Sequence, residues 1–124
     1  MKKKLFLSLA ASVALFTGVT NAYAATSAVD ISPGQTLVDG PVSYLDGNIA
    51  ISSNNRGDED VILRVREDIW GYDRVVSEMR VSAHSYKKIY KKMTGHYYVE
   101  LECASGDDCF AWGSMTDNEI RTGE

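Results

Sequence analysis

The sequence predicts an all-β fold: a single small antiparallel β-sandwich of about seven strands, over residues 29–117. Three observations lead there. Turn residues recur at short intervals, and the runs between them are brief. Three of those runs alternate apolar and charged residues with period 2, the pattern of antiparallel sheet with one wet face. The composition is that of a globular chain, 44% hydrophobic and 24% charged, which excludes disorder, collagen-like repeats and a dense disulfide scaffold. At 124 residues the chain has room for one domain.

The first residues stand apart from that domain. Met1-Lys2-Lys3-Lys4 is a positive n-region, residues 5–19 are apolar and uncharged, and Ala22-Tyr23-Ala24 has the A-x-A form that signal peptidase accepts. Residues 1–24 therefore read as a signal peptide and 25–124 as the mature domain. The apolar run falls short of the roughly 20 residues that span a bilayer. No second hydrophobic stretch follows, so no transmembrane segment is expected after signal removal. The expected location is extracellular, or periplasmic in a host with an outer membrane. Ala25 stands where a lipid-anchored protein would carry cysteine. The leader takes three lysines and no acid with it, leaving a net charge of about −7, which argues against nucleic acid as a partner.

Along the mature chain, Pro33-Gly34, Asp39-Gly40-Pro41 and Asp46-Gly47-Asn48 are turn signals. Between and after them lie the short runs Thr36-Leu37-Val38, Val42-Ser43-Tyr44 and Asn48-Ile49-Ala50-Ile51. Residues 52–59 read as a polar loop. In 60–67, Val61, Leu63 and Val65 share a face opposite Arg64 and Arg66. In 75–81, Val75, Met79 and Val81 oppose Glu78 and Arg80. In 97–103, Tyr97, Val99, Leu101 and Cys103 oppose Tyr98, Glu100 and Glu102. The run Gly95-His96-Tyr97-Tyr98-Val99-Glu100-Leu101 also resembles the penultimate strand of many small bacterial extracellular sandwiches, a likeness of fold class that names no family.

Residues 85–93 admit two readings. As a short helix they place Tyr86, Ile89, Tyr90 and Met93 on one face, with Ser85 as cap and Gly95 as stop. As a strand they place Tyr86, Lys88, Tyr90 and Lys92 opposite Lys87, Ile89, Lys91 and Met93. The strand is the favoured reading, because the segment is short and lies between two strands, and lysine stems lie well along apolar surface.

Cys103 and Cys109 are the only cysteines, with a Gly- and Asp-containing turn between them. In an exported chain this spacing predicts a structural disulfide, stabilising by about 2 kcal/mol. It is neither a C-x-x-C redox pair nor a set of zinc ligands. No cofactor and no metal are expected. His84 and His96 lack metal-ligand spacing and read as exposed loop histidines. No Gly-x-Ser-x-Gly elbow is present, and the chain is read as no enzyme. The acidic groups Asp58-Glu59-Asp60, Asp107-Asp108 and Asp117 with Glu119 lack EF-hand spacing and suit turns better than calcium. Arg56-Gly57-Asp58 matches an integrin-binding tripeptide, but its composition is ordinary turn chemistry.

The most specific feature is a basic-aromatic strip: Lys87, Lys88, Lys91 and Lys92 interleaved with Tyr86 and Tyr90, on an otherwise acidic chain. Lysines hold phosphate or carboxylate groups while tyrosines stack on rings. Set against this is a solvated face whose lysines discourage edge-to-edge aggregation. Trp70 and Tyr72, around Gly71, form a second aromatic candidate. The expected function is that of an exported non-catalytic binding or surface-associated module. Its partner would be an anionic cell-envelope polymer or polysaccharide, or an extracellular protein. The alternative is a small secreted inhibitor or toxin acting on a protein target.

Overall fold

The computed structural model describes residues 26–117, so the signal-peptide reading of residues 1–24 lies outside the described residues. Seven strands follow one another: β1 (Thr26–Ile31), β2 (Leu37–Asp39), β3 (Ser43–Asn55), β4 (Val61–Ile69), β5 (Tyr72–Val81), β6 (Ser85–Cys103) and β7 (Ala111–Thr116). All pairings are antiparallel. They form one sheet of order β1-β7-β3-β6-β4-β5, with β2 added to β6. The sheet curls on itself so that its two halves face each other across a common core.

β6 joins the two halves. Its residues 85–97 pair with β3, and its residues 97–103 pair with β4. Gly95 lies two residues before the change of partner at Tyr97, with a φ of +149° that a side chain would resist. The buried Leu45 sits directly opposite it, in register with the position that carries no side chain. Between the halves, Ile31, Ile51 and Met115 from one side meet Val61, Leu63, Val65 and Val81 from the other in one apolar cluster. The approach is closest at Gly113, where an added Cβ would lie 2.8 Å from Leu63 Cδ1 and 3.3 Å from Leu101 Cδ2. Interiors this dense leave no room for a methyl group there.

The alternating runs keep their expected faces in β4 and in the second half of β6. Val61, Leu63, Val65, Val99, Leu101 and Cys103 are all buried. Three features differ from expectation. The stretch Asp46-Gly47-Asn48 is not a turn but lies inside β3, where Thr94 Oγ1 donates to Asp46 Oδ1 at 2.8 Å across the strands. Residues 52–55 belong to the same strand rather than to a polar loop, because their inward polar groups are satisfied. Ser53 Oγ donates to the Trp112 carbonyl at 2.8 Å, and Asn55 Nδ2 donates to the carbonyls of Glu59 and Val81 at 2.7 and 3.1 Å. Val75 points outward, not into the core with Met79 and Val81. A register shift between Val65 and Arg66 pairs Arg66 with Val75 and leaves Val76 to pack on the core.

Residues 85–93 are strand, and the short helix is not formed. The segment joins 97–103 in a single element because each of its residues has a partner on β3. Cys103 and Cys109 form the disulfide, with Cα atoms 5.7 Å apart. Its loop does not stand out as a free tip. Gly34 N–H donates to the Asp107 carbonyl at 2.6 Å, Cys103 N–H to Thr36 and Ala104 N–H to Asp60.

Candidate binding faces

A strand sends alternate side chains to opposite faces. In β6 this sorts the lysines into two pairs. Tyr86, Lys88, Tyr90 and Lys92 fall on the outer face, opposite Asn54, Ser52, Ala50 and Asn48 of β3. Lys87 and Lys91 fall on the other face with Ile89, which packs partly on the core. Lys87 Nζ there donates to the Arg80 carbonyl at 3.2 Å. The strip is thus a row of two lysines and two tyrosines, not a field of four lysines. Tyr86 and Tyr90 are exposed, and Lys88 Nζ lies 5.5 Å from the centroid of the Tyr90 ring.

The outer row extends across the sheet through residues that share its register. Tyr86 opposes Asn54, which opposes Trp112 of β7, which in turn opposes Asp30 of β1. The Tyr86 and Trp112 rings meet edge-on, with centroids 6.5 Å apart. Trp112, Asp30 and Phe110 are not among the candidate site residues that the sequence offers, and Arg56 enters there only through the Arg56-Gly57-Asp58 tripeptide. The period-2 spacing of Phe110 and Trp112 around a small Ala111 was the available signal, and both rings share a side of the chain.

Trp70 and Tyr72 lie at the tip of the β4–β5 hairpin, where Ile69 pairs with Tyr72 and Trp70-Gly71 makes the turn. Trp70 is 98% exposed and Tyr72 65%. No ring contact joins this tip to the β6 row among the described residues.

The outer face of the other half is also charged, but its charges are engaged with one another. Glu100, only 4% exposed, accepts from Arg66 Nε at 3.0 Å and from Arg64 Nη1 at 3.4 Å. Arg64 also meets Glu78 at 2.8 Å and Glu102 at 2.7 Å. The Glu100 hydrogen bond, against the opposing effect of burial, holds the Arg66 guanidinium above its ordinary pKa. Asp39 is pushed up, first by burial and then by a hydrogen bond and repulsion from Glu100. Tyr98 is raised by burial and by donating to Asp73 Oδ2 at 2.7 Å.

Both histidines are engaged. His84 occupies the β5–β6 turn with a φ of +57° and meets Asp58 Oδ1 at 2.7 Å. His96 is a strand residue rather than a loop residue, and its ring lies edge-on to Tyr44 at 5.1 Å. Asp58, and with it the Arg56-Gly57-Asp58 tripeptide, is drawn into that histidine contact. Among the described residues, Glu59, Cys103 and Cys109 bring a carboxylate oxygen and two sulfurs within 4.8 Å of one another, and both sulfurs are spent in the disulfide.

No protein-family model matches the chain, and no curated protein matches it in sequence. Several solved structures are similar in chain path. The crystal structure of PirA aligns with a TM-score of 0.46 at 8% identity, covering 73% of this chain and 90% of that one. A chain of the naturally occurring empty particles of Cowpea mosaic virus gives 0.49 at 10% identity, covering 81% and 82%. The mitogen derived from Yersinia pseudotuberculosis gives 0.46 at 10% identity, covering 82% and 92%. No helix among the described residues is long and apolar enough to cross a membrane.

Proposed function

We propose that the protein is an exported, non-catalytic binding module that holds an anionic extracellular polymer on the outer row of β6. One observation carries this reading: Tyr86, Lys88, Tyr90 and Lys92 fall in a line on one face of a single strand. Successive members of that row are about 7 Å apart along the strand, a spacing that lets cations and rings alternate along an extended chain. The arginines of the other outer face are already tied to Glu78, Glu100 and Glu102, so a polyanion meets a neutralised surface there.

The test compares three proteins on immobilised anionic cell-wall polymer at low salt. Lys88→Gln with Lys92→Gln removes charge from the outer row, while Lys87→Gln with Lys91→Gln removes the same charge from the other face. Retention is expected to fall about tenfold for the first pair and little for the second, and to fade for the wild type as salt shortens the Debye length from about 10 Å at 0.1 M to 3 Å at 1 M. Equal retention of all three overturns the reading.

A second reading, a small secreted inhibitor or toxin with a protein target, is favoured by the hairpin tip. A tryptophan that is 98% exposed on a two-residue turn has the character of an interface anchor. Retention of a target protein that is lost in Trp70→Ala, with polymer binding absent, would select it.

A further inference from the structure

Beside the β6 row, at the end of the first half of the sheet, lies a cleft of about 210 Å³ lined by Asp30, Ser32, Arg56, Phe110, Ala111 and Trp112. We infer that this cleft binds one carboxylated sugar unit of a glycan, with Arg56 on its carboxylate, Asp30 on its hydroxyls and the two rings against its apolar face.

The parts are held in place from several directions. Asp30 and Trp112 are direct cross-strand partners on the outer face. Phe110 follows Cys109 and is therefore anchored by the disulfide at its preceding residue. The Arg56 N–H donates to the Phe110 carbonyl at 2.9 Å. Gly57 brings its backbone so near that an added Cβ would lie 2.9 Å from the Phe110 nitrogen. The Gly57 N–H in turn donates to Asn55 Oδ1 at 3.0 Å, and Asn55 is itself fixed to Glu59 and Val81. The Arg56 backbone is thus fastened to the chain that carries both rings.

The chemistry selects the ligand. Among the described residues, neither the Arg56 guanidinium nor the Asp30 carboxylate has a hydrogen-bond or ion-pair partner, although both line one cleft. A guanidinium presents a planar fork that matches a carboxylate, and a carboxylate accepts from neighbouring hydroxyls. Phe110 leaves 51% of its surface exposed, and Trp112 is half-buried against Tyr86. Such rings favour a flat ligand with an apolar face and polar edges. The volume lies below the roughly 300–1,000 Å³ of sites for drug-sized ligands, so one ring fits rather than several. A sugar with a carboxylate, of the uronic-acid type, combines all of these features.

The site uses none of the β6 lysines, so it and the polymer-binding row can fail separately. The experiment follows the Trp112 indole N–H by NMR in 15N-labelled full-length mature protein. It titrates a glucuronate-containing oligosaccharide and, in parallel, a neutral glucose oligosaccharide. The glucuronate probe is expected to shift Trp112 and not Trp70, and to bind about tenfold more tightly than the neutral one. Arg56→Gln should erase that preference while leaving the neutral probe unchanged, and Asp30→Asn should weaken both. Lys88→Gln with Lys92→Gln should bind the glucuronate probe as the wild type does. An unmoved Trp112 resonance at tens of millimolar probe, equal affinity for the two probes, or a preference that survives Arg56→Gln would overturn the assignment.

Discussion

Ser27 Oγ accepts the N–H of Val99 at 3.3 Å and donates to the Pro41 carbonyl at 2.6 Å, so a side chain of β1 supplies a rung that the backbone leaves open on β6. The Val99 carbonyl takes the Gly40 N–H at 2.8 Å on the same side. Ser27→Ala leaves a buried N–H without its acceptor and is expected to cost about 1–3 kcal/mol. Urea denaturation monitored by circular dichroism measures this, and an unmoved midpoint would contradict it.

The contact between Gly113 and Leu63 gives a second expectation. Gly113→Ala pushes a methyl into space held by Leu63 and Leu101, and should destabilise by about 1–3 kcal/mol. The cost should shrink in a Leu63→Val background, where the facing side chain is shorter. A double-mutant cycle with no coupling would place the close approach elsewhere.

Glu100 and Asp39 should respond in opposite ways to loss of charge. Glu100→Gln keeps an acceptor oxygen but removes the negative charge shared by Arg64 and Arg66, at a cost of about 3 kcal/mol, the low end for a buried pair because both arginines remain partly wetted. Asp39 has a raised pKa, so the folded protein binds its proton more tightly than the unfolded chain does. Its contribution is therefore most favourable below the ordinary 3.8 and is lost as pH rises through the folded value. Asp39→Asn should leave the midpoint at neutral pH unchanged or raise it. Denaturation at pH 3 and pH 7 separates the two variants.

Much of this architecture can be read from alternation, and the exceptions share a physical cause. Leu63 and Val65 declare their face because Arg64 and Arg66 alternate with them, and Val61 follows by parity. Residues 52–55 conceal theirs, since Ser53 and Asn55 are buried polar groups whose partners lie far along the chain. Val75 misleads because a bulge shifts parity, and the extra residue that does so has no signature of its own. For the candidate sites, the tyrosine–lysine row was legible as a strand pattern. The Arg56 cleft was not, because it gathers β1, the β3–β4 loop and β7, which sequence spacing does not bring together.

Trp70 offers a test of exposure. Trp70→Ala removes a side chain that touches little, and should change stability by no more than about 0.5 kcal/mol. Thermal denaturation checks it, and a loss above 2 kcal/mol would mean that the hairpin tip is packed rather than presented.

Reduction of Cys103–Cys109 should lower stability by about 2 kcal/mol. Hydrogen exchange should rise first at the Arg56 N–H, whose acceptor is the Phe110 carbonyl next to the bridge. Equal protection of that amide with and without reductant would show that the β3–β4 loop holds Phe110 unaided.

Thr26 at the start of β1 pairs with Thr116 at the end of β7, and β7 lies between β1 and β3. The sheet is therefore complete only once β7, the last strand among the described residues, has been made, because β7 is the strand with which β1 pairs. Such high contact order places folding in the slow, millisecond-to-second range of two-state domains.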